Sequence, residues 1–418
     1  MKKLEYDIAV VGGGAAGLTA AAKATSLGKK TLVVERNEYP GGVLQQCIHN
    51  GFGLHYFKEE LTGPEYAARV QNLAEQAGAE FLLSAAVVKI EQQQNRHTLT
   101  VYSKADGVTL VQCKALILAA GCRERCRGNL GIPGDRTAGV LNAGLAQQLL
   151  NQEGLLPGTR AVIVGSGDIG LIMARRLTWC GVKVECVIEI MPYPAGLSRN
   201  IAQCLEDFDI PLYLASAVTG IHGKARVESV TFAPLFNGKP DLSRERRVSC
   251  DTVLFSVGLV PENELAKACG VEINPRTGGA VVNGNLMTCV PGIFSCGNVL
   301  HVHDLVDFVS EEAEICAENA AEYCDHPHPA ATPEIPVEPG SHVRYTVPNR
   351  IDPAKETRFF MRSTGIMERA ELTIADQDGK VLLEKNLRYV KPAEMLSVVL
   401  PENTVGDAEK LVIALEEK

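Results

Sequence analysis

YDIAVVGGGAAGLTAAAKATSLGKKTLVVER, residues 6–36, is the stretch that decides the fold. A short apolar run, IAVV, meets three glycines, an Ala-rich segment follows, and a second apolar run ends in Glu35. That is strand, tight turn, helix, strand. In Gly12-x-Gly14-x-x-Gly17 the first glycine permits the turn and the second lets backbone approach a pyrophosphate. The third allows close helix–strand packing. Phosphates would rest on the helix N-terminus, where free N–H groups and the dipole favour negative charge. Glu35 stands where a carboxylate accepts hydrogen bonds from a ribose diol. A glycine triplet alone is a weak signal. Strand, helix and acid together favour a nucleotide-binding turn over a merely tight one.

TRAVIVGSGDIGLIMARRLTWCGVKVECVIE, residues 159–189, repeats the pattern with Gly165, Gly167 and Gly170, and Glu189 ends its second strand. A carboxylate there binds a 2′-hydroxyl and repels a 2′-phosphate, so NAD(H) is expected over NADP(H). Arg175 and Arg176 lie inside the helix, on the wrong element to hold that phosphate.

The composition agrees with an ordinary globular protein of two or three domains: 418 residues, 46% hydrophobic and 22% charged. A net charge of −9 argues against nucleic acid or an anionic membrane surface as partner. Lys2 and Lys3 ahead of an apolar run resemble a signal peptide, but Glu5, Asp7 and GGGAAG break it. No apolar stretch is long enough to span a membrane. Thirteen scattered cysteines suit reduced thiols, and a cytoplasmic location is expected.

Between the two glycine units a helix is expected around residues 64–77, then a β-rich return ending in KALILAAGCRER, residues 114–125. Beyond the second unit come DTVLFSVGLVPEN, PGIFSCGN and a helical run, SEEAEICAENAAEY. At 325 the composition turns Pro-rich. The segments ETRFFMRS, AELTIADQDGKVLLEKN and AEKLVIALEE then alternate as strands do, with Asp378-Gly379 as a hairpin turn.

Two such units in one chain, with these segments in this order, resemble the two-dinucleotide-binding-domain flavoproteins, the superfamily of glutathione and thioredoxin reductases. The resemblance covers about residues 4–325. ALILAAGCR resembles the strand that sets Ala120 and Gly121 against the flavin, and VLFSVGLVPEN the segment that carries Gly258. TCVPGIFSCGN resembles the closing flavin motif, here ending Gly297-Asn298 where the family usually has Gly-Asp. The following helix is expected to aim its N-terminus at the flavin pyrimidine. Candidate cofactor contacts also include Ala15, Ala16, Arg36, Gly42, Val43, Val87, Ile169, Val309 and Ser310. The resemblance implies FAD and NAD as cofactors and an α/β fold of two Rossmann-like, three-layer ββα dinucleotide-binding domains. The expected division is an FAD domain at 1–145 and 276–325 with an NAD domain inserted at 146–275. A linker at 326–336 and a small all-β domain at 337–418 complete it. The tail carries no catalytic constellation and reads as a docking or oligomerisation module, with a lid over the core as the alternative.

The family's dithiol positions fall, counted from Gly42, on Leu44 and His49. Within GGVLQQCIHN, residues 41–50, Cys47 has no second cysteine beside it, and residues 150–280 hold no Cys-x-x-Cys. Cys122 and Cys126 suit a redox pair, a metal site with unseen partners, or ordinary loop thiols, the last favoured. Polar residues fill the flavin face, and Gln46, His49 and His303 are the candidate catalytic residues, with neutral-pH acid/base chemistry open to histidine. The run His301-Val302-His303-Asp304 hints at a metal, but no companion cluster with ligand spacing is visible, and none is expected.

The blocks 41–67 and 297–314 further resemble small FAD/NAD oxidoreductases that accompany glycerol-3-phosphate-dehydrogenase-like flavoproteins. They also resemble subunits of amino-acid, sarcosine and opine dehydrogenases. That implies electron transfer between NAD(H) and a partner flavoprotein subunit of glycerol-3-phosphate-dehydrogenase-like or amine-dehydrogenase-like type, with a homo-oligomer also open. Two alternatives stand beside it: a self-sufficient NADH oxidase or reductase, and a nucleotide-binding assembly protein without turnover.

Overall fold

Strand Ile8–Val11 runs through the glycine turn into helix α1 (Ala15–Ser26), and strand Thr31–Val34 returns parallel to it. This computed structural model describes residues 2–93, 96–327 and 334–418. Every residue of those two strands is buried, as a parallel sheet covered on both faces requires. Helix α2 (Gly63–Ala77) opens on a reciprocal capping box between Thr62 and Glu65. The sheet orders Ile293–Ser295, Ala115–Leu118, Ile8–Val11, Thr31–Val34 and Glu80–Leu82, all parallel. A second sheet of Lys2–Glu5, Gly107–Cys113, Arg96–Ser103 and Ala85–Gln93 shares its core through Ile90, Leu99, Val101 and Val111.

Residues Arg123–Val260 form a compact unit of their own. Its parallel sheet orders Val140–Asn142, Thr252–Phe255, Arg160–Val164, Lys183–Ile188 and Leu212–Tyr213, and helix α3 (Asp168–Trp179) follows the second glycine turn. A smaller antiparallel sheet pairs Val227–Phe236 with Ser216–Gly223 and Arg246–Ser249. The unit starts and ends earlier than the 146–275 drawn from sequence. Bridges Gly134↔Ile221 and Ala138↔Arg226 hold its first residues, whereas Ala266, Val271, Ala280, Val282 and Leu286 pack into the other unit's core.

The chain returns to the first unit through strand Ile293–Ser295 and helix α4 (Val306–Asp325). Residues 328–333, most of the Pro-rich stretch, lie outside the described residues. The tail is all β: a five-stranded sheet, with Met367–Asp376 and Val381–Val390 as a hairpin around Gly379, and a three-stranded one. It has a core of its own around Phe359, Leu372 and Ile413. Tyr345 and Val347, however, pack into the core that holds Ile8 and Ala317. Residues 261–418 therefore cluster with residues 1–122 as one compact unit, and the tail is no free module on a tether. No helix among the described residues is long and apolar enough to cross a membrane.

Candidate functional site

The first glycine turn is shaped by backbone sterics. Gly12 has φ +105°, and a Cβ there would stand 2.5 Å from the Ala119 carbonyl oxygen; one on Gly17 would meet the Gly12 oxygen at 1.8 Å. Gly14 caps α1 with no side-chain hydrogen bond and no acidic residue in the first turn, so the positive helix end stays available. Glu35 is buried. Its Oε2 accepts the Gly13 N–H (2.7 Å) and its Oε1 the Asn37 N–H (2.8 Å).

Other predicted contacts gather around this turn. The Gly41 N–H donates to the Gly13 oxygen (2.7 Å), and a Cβ on Gly42 would lie 3.2 Å from the Gly14 Cα. One on Gly297 (φ +73°) would stand 2.7 Å from the Ala16 Cβ and 3.3 Å from Val309 Cγ1. Loop 41–42, the N-terminus of α1, the Gly297-Asn298 turn and the start of α4 thus converge on one cradle, lined by Ala15, Ala16 and Val309. Ala120 approaches the same turn, since its Cα lies 3.0 Å from a Cβ built on Gly12, and Gly121 takes φ +72°. Val43 and Arg36 are exposed, and Val87 packs at the edge of the core. The Ser310 hydroxyl is fully buried between Tyr66 OH (2.7 Å) and Thr19 Oγ1 (3.1 Å), where it ties α1, α2 and α4 together.

The candidate catalytic residues separate. Gln46 and His49 are half-buried on the loop, with His49 Nδ1 against the Asn50 oxygen (3.0 Å) and its ring 5.0 Å from Phe52. Leu44 is buried, and the Cys47 thiol donates to the Val43 oxygen (3.3 Å). His303 instead turns inward, its side chain fully buried beside His301 and Glu312.

Two acids on α4 escape a reading of the sequence. Asp307, in the first turn, accepts the N–H groups of Gly53 (3.2 Å), His55 (3.1 Å) and Tyr56 (2.7 Å) and so pins loop 53–56. Glu312 accepts the Gly297 N–H (2.6 Å) and faces both imidazoles. The ligating atoms of His301, His303 and Glu312 lie within 4.8 Å of one another, the companion cluster that sequence spacing did not reveal. In the helical run that begins SEEAE, only the helix's packing shows that Glu312 is inside.

The second glycine turn is built differently. A Cβ on Gly165 (φ +90°) would meet the Ser256 oxygen at 2.1 Å, and Ser256 Oγ accepts the Gly170 N–H (3.0 Å) and lies 3.1 Å from a Cβ on Gly167. Glu189 is buried: Oε2 accepts the Ser166 N–H (2.8 Å) and hydroxyl (2.6 Å), and Oε1 the Met191 N–H (2.9 Å). Asp168 sits in the first turn of α3 and accepts from Leu197 N–H and Asn200 Nδ2. Ile169 is half-buried beside it. Arg175 stacks over Trp179 and Arg176 donates to Asn151, so neither is turned to the end of the second strand. Gly258 has φ +96°, and its oxygen accepts the Arg125 N–H (2.9 Å).

The regions that match known proteins include both turns. One of the subunits of opine oxidase from Agrobacterium tumefaciens is 27% identical over 321 residues, 70% of this chain and 61% of its own length. The chain thus spans less than two thirds of that relative. Thioredoxin reductase of Treponema pallidum is 25% identical, with 77% of this chain matching 98% of it. Among solved structures, Lactococcus lactis thioredoxin reductase shares the fold with a TM-score of 0.64 at 21% identity, covering 77% of this chain and 99% of that one. The family model described as pyridine nucleotide-disulphide oxidoreductase matches residues 6–320, from the strand before the first glycine turn to the body of α4. With both turns inside the matched region, the chain belongs to that family of oxidoreductases, whose members work with FAD and a pyridine nucleotide.

Proposed function

We propose that this chain passes electrons between NAD(H) and a partner flavoprotein through FAD, without a redox-active dithiol. The observation that carries the reading is the loop beside the first glycine turn. Buried Leu44 and half-buried His49 stand at the family's dithiol positions, and residues 41–50 contain a single cysteine. Bound FAD supplies two-electron chemistry, accepting hydride and releasing electrons onward. The chain's residues hold and orient it: α1 offers its uncapped N-terminus to the pyrophosphate and Glu35 its carboxylate to a ribose. Ala120, Gly121, Gly297 and Asn298 line the cradle. In the second unit Glu189 favours NAD(H), its charge opposing a 2′-phosphate. Gln46 and His49 border the place where a reactant approaches.

The partner is proposed to be a dehydrogenase subunit of glycerol-3-phosphate or amine type, because two relatives are named as subunits, of opine oxidase and of hydrogen cyanide synthase. A second reading, self-sufficient reduction of a small acceptor, has the near-complete span of a thioredoxin reductase in its favour. Purified, FAD-loaded protein given NADH decides between them. The first reading expects flavin reduction with negligible turnover until the partner is added. Steady turnover of a small disulfide by the chain alone overturns it.

A further inference from the structure

The two glycine turns hold their acids alike except for one hydroxyl. In the first, Glu35 Oε2 accepts the Gly13 N–H (2.7 Å) and Oε1 the Asn37 N–H (2.8 Å). In the second, Glu189 Oε2 accepts the Ser166 N–H (2.8 Å) and Oε1 the Met191 N–H (2.9 Å). Gly13 and Ser166 each follow the first glycine of their turn, and Asn37 and Met191 each stand two places beyond the acid. The backbone bonds therefore correspond one to one. What the second turn adds is the Ser166 hydroxyl, which donates to Glu189 Oε2 at 2.6 Å. Its direction is set from the other side, because Ser166 Oγ accepts the Ala195 N–H (2.8 Å). Ser166 is fully buried, so no water competes for that hydroxyl.

An ionised carboxylate offers about four acceptor positions, two on each oxygen. Among the described residues, N–H groups fill one position on each oxygen of Glu35 and leave one on each. Glu189 has both positions on Oε2 filled and one on Oε1, which leaves a single place. A ribose diol brings two hydroxyl donors. Glu35 can accept both, and Glu189 only one.

The hydroxyl is not what fastens the chain beside this turn. Asp168 Oδ1 accepts the Leu197 N–H (2.9 Å) and Asn200 Nδ2 (2.7 Å). A Cβ on Gly196 would stand 2.9 Å from the Ser166 backbone oxygen, so segment 195–200 also packs closely there. Ala195 is exposed, and water can replace the hydroxyl as partner of its N–H.

We propose that Ser166 is a positioning residue that limits the second turn to one ribose hydroxyl. By filling Glu189 Oε2 it leaves the adenosine ribose of NAD(H) one bond to the carboxylate, where the first turn offers two. A hydrogen bond to a charged group is worth about tenfold or more in affinity, so the missing bond keeps the coenzyme exchangeable.

The proposal rests on the reading that Glu189 meets the coenzyme ribose, and the test separates the two. In the FAD-loaded full chain, dissociation constants are measured by equilibrium titration for NAD+ and for its analogues lacking the 2′- or the 3′-hydroxyl of the adenosine ribose. In the wild type one analogue should bind roughly tenfold weaker than NAD+ and the other within about twofold of it. Ser166→Ala keeps the Cβ and frees a position on Oε2. It should bind NAD+ roughly three- to tenfold tighter, and both analogues should then bind more weakly than NAD+. Ser166→Gly, which copies Gly13, should behave in the same way. A serine that only supports the fold would, on removal, weaken all three ligands by one factor, and that result overturns the proposal. So does a wild type in which both analogues lose affinity equally, although Glu189 then still meets the ribose. A wild type indifferent to both hydroxyls overturns the ribose assignment and the proposal together. If NAD+ and NADP+ bind equally while one analogue alone is weakened, the coenzyme preference fails and the role of Ser166 stands. Should the variants not hold FAD, the two analogues on the wild type decide.

Discussion

In the first glycine turn Gly14 leaves the start of α1 without a side-chain cap and without an acid; in the second, Asp168 occupies the first turn of α3 and Ser166 binds Glu189. The spacing of glycines is the same, and the electrostatics differ. A carboxylate at a helix N-terminus offsets part of the field that would hold a pyrophosphate. The first turn also lies under the glycine pair 41–42 and the Gly297 turn, which narrow its cradle. One fingerprint can therefore serve two kinds of binding. Under the proposed function, one turn would retain its dinucleotide and the other would let a coenzyme enter and leave at each turnover.

The harshest test of this contrast is to put a methyl group into each turn. In Gly17→Ala the new Cβ faces a carbonyl oxygen at 1.8 Å, so backbone must move, at a cost of roughly 3 kcal/mol or more. The protein should lose its flavin absorbance and melt earlier. Gly170→Ala meets the side chain of Ser256 at 2.7 Å, and this variant should stay yellow while NADH reduces it poorly. Equal flavin loss in both would erase the distinction.

The tail belongs to the first unit, and Arg362 is its strongest tie. Its guanidinium reaches Asp304, the Val302 oxygen and the Ala393 oxygen from a largely buried position. Arg362→Met leaves Asp304 without its cation, and a loss of about 2–4 kcal/mol is expected. Thermal release of FAD, followed by fluorescence, should shift to lower temperature. An unchanged release temperature would mean that the tail does not support the flavin site.

Glu189→Ala probes the coenzyme side. One removed charge repulsion at a buried site is worth on the order of 1–3 kcal/mol, so the NADH/NADPH ratio of kcat/KM should fall roughly 5- to 150-fold. Equal efficiencies in the wild type would refute the assignment.

Acid should act on the second unit through Asp251. Burial works against ionisation there, but hydrogen bonds from Thr159 and Arg160 prevail and lower its pKa to about 2. A depressed carboxylate pKa gives stability that is full above the unfolded value near 4 and is lost as pH falls towards about 2. After allowance for partial exposure, this contributes about 1 kcal/mol. Asp251→Asn should melt below wild type at neutral pH, with the gap closing by about pH 2. A gap that persists in acid would assign the effect to packing.

The smallest effect concerns Asp168. In Asp168→Asn the helix end regains part of its field, worth about 0.3–1 kcal/mol, and NADH should bind roughly two- to fivefold tighter by equilibrium titration. Weaker binding would mean that the bonds from Leu197 and Asn200 to Asp168 matter more than its charge.

The legible part of this protein is local. Gly12, Gly17, Gly165 and Gly170 are required by contacts within a few residues or with the adjacent strand, and Glu35 and Glu189 follow at a fixed distance along one crossover. The capping box at Thr62 and the hairpin at Gly379 are set by the same short-range rules. His303, read as a residue open to a reactant, faces inward instead, because its direction depends on what packs over residues 301–304.

What the sequence alone determined, then, is two glycine-rich strand–turn–helix units in order, an acid at the end of each second strand, a single cysteine within residues 41–50, and a β-rich tail. Tertiary structure alone decided that Asp307 pins loop 53–56, that Glu312 rather than Glu311 or Glu314 is buried, and that Tyr345, Phe360 and Arg362 seal the two histidines. The physical reason is reach. Steric and hydrogen-bond rules of a turn act between near neighbours and leave a mark in spacing. Burial of a polar side chain is set by whichever distant segment comes to cover it, and no spacing along α4 records that.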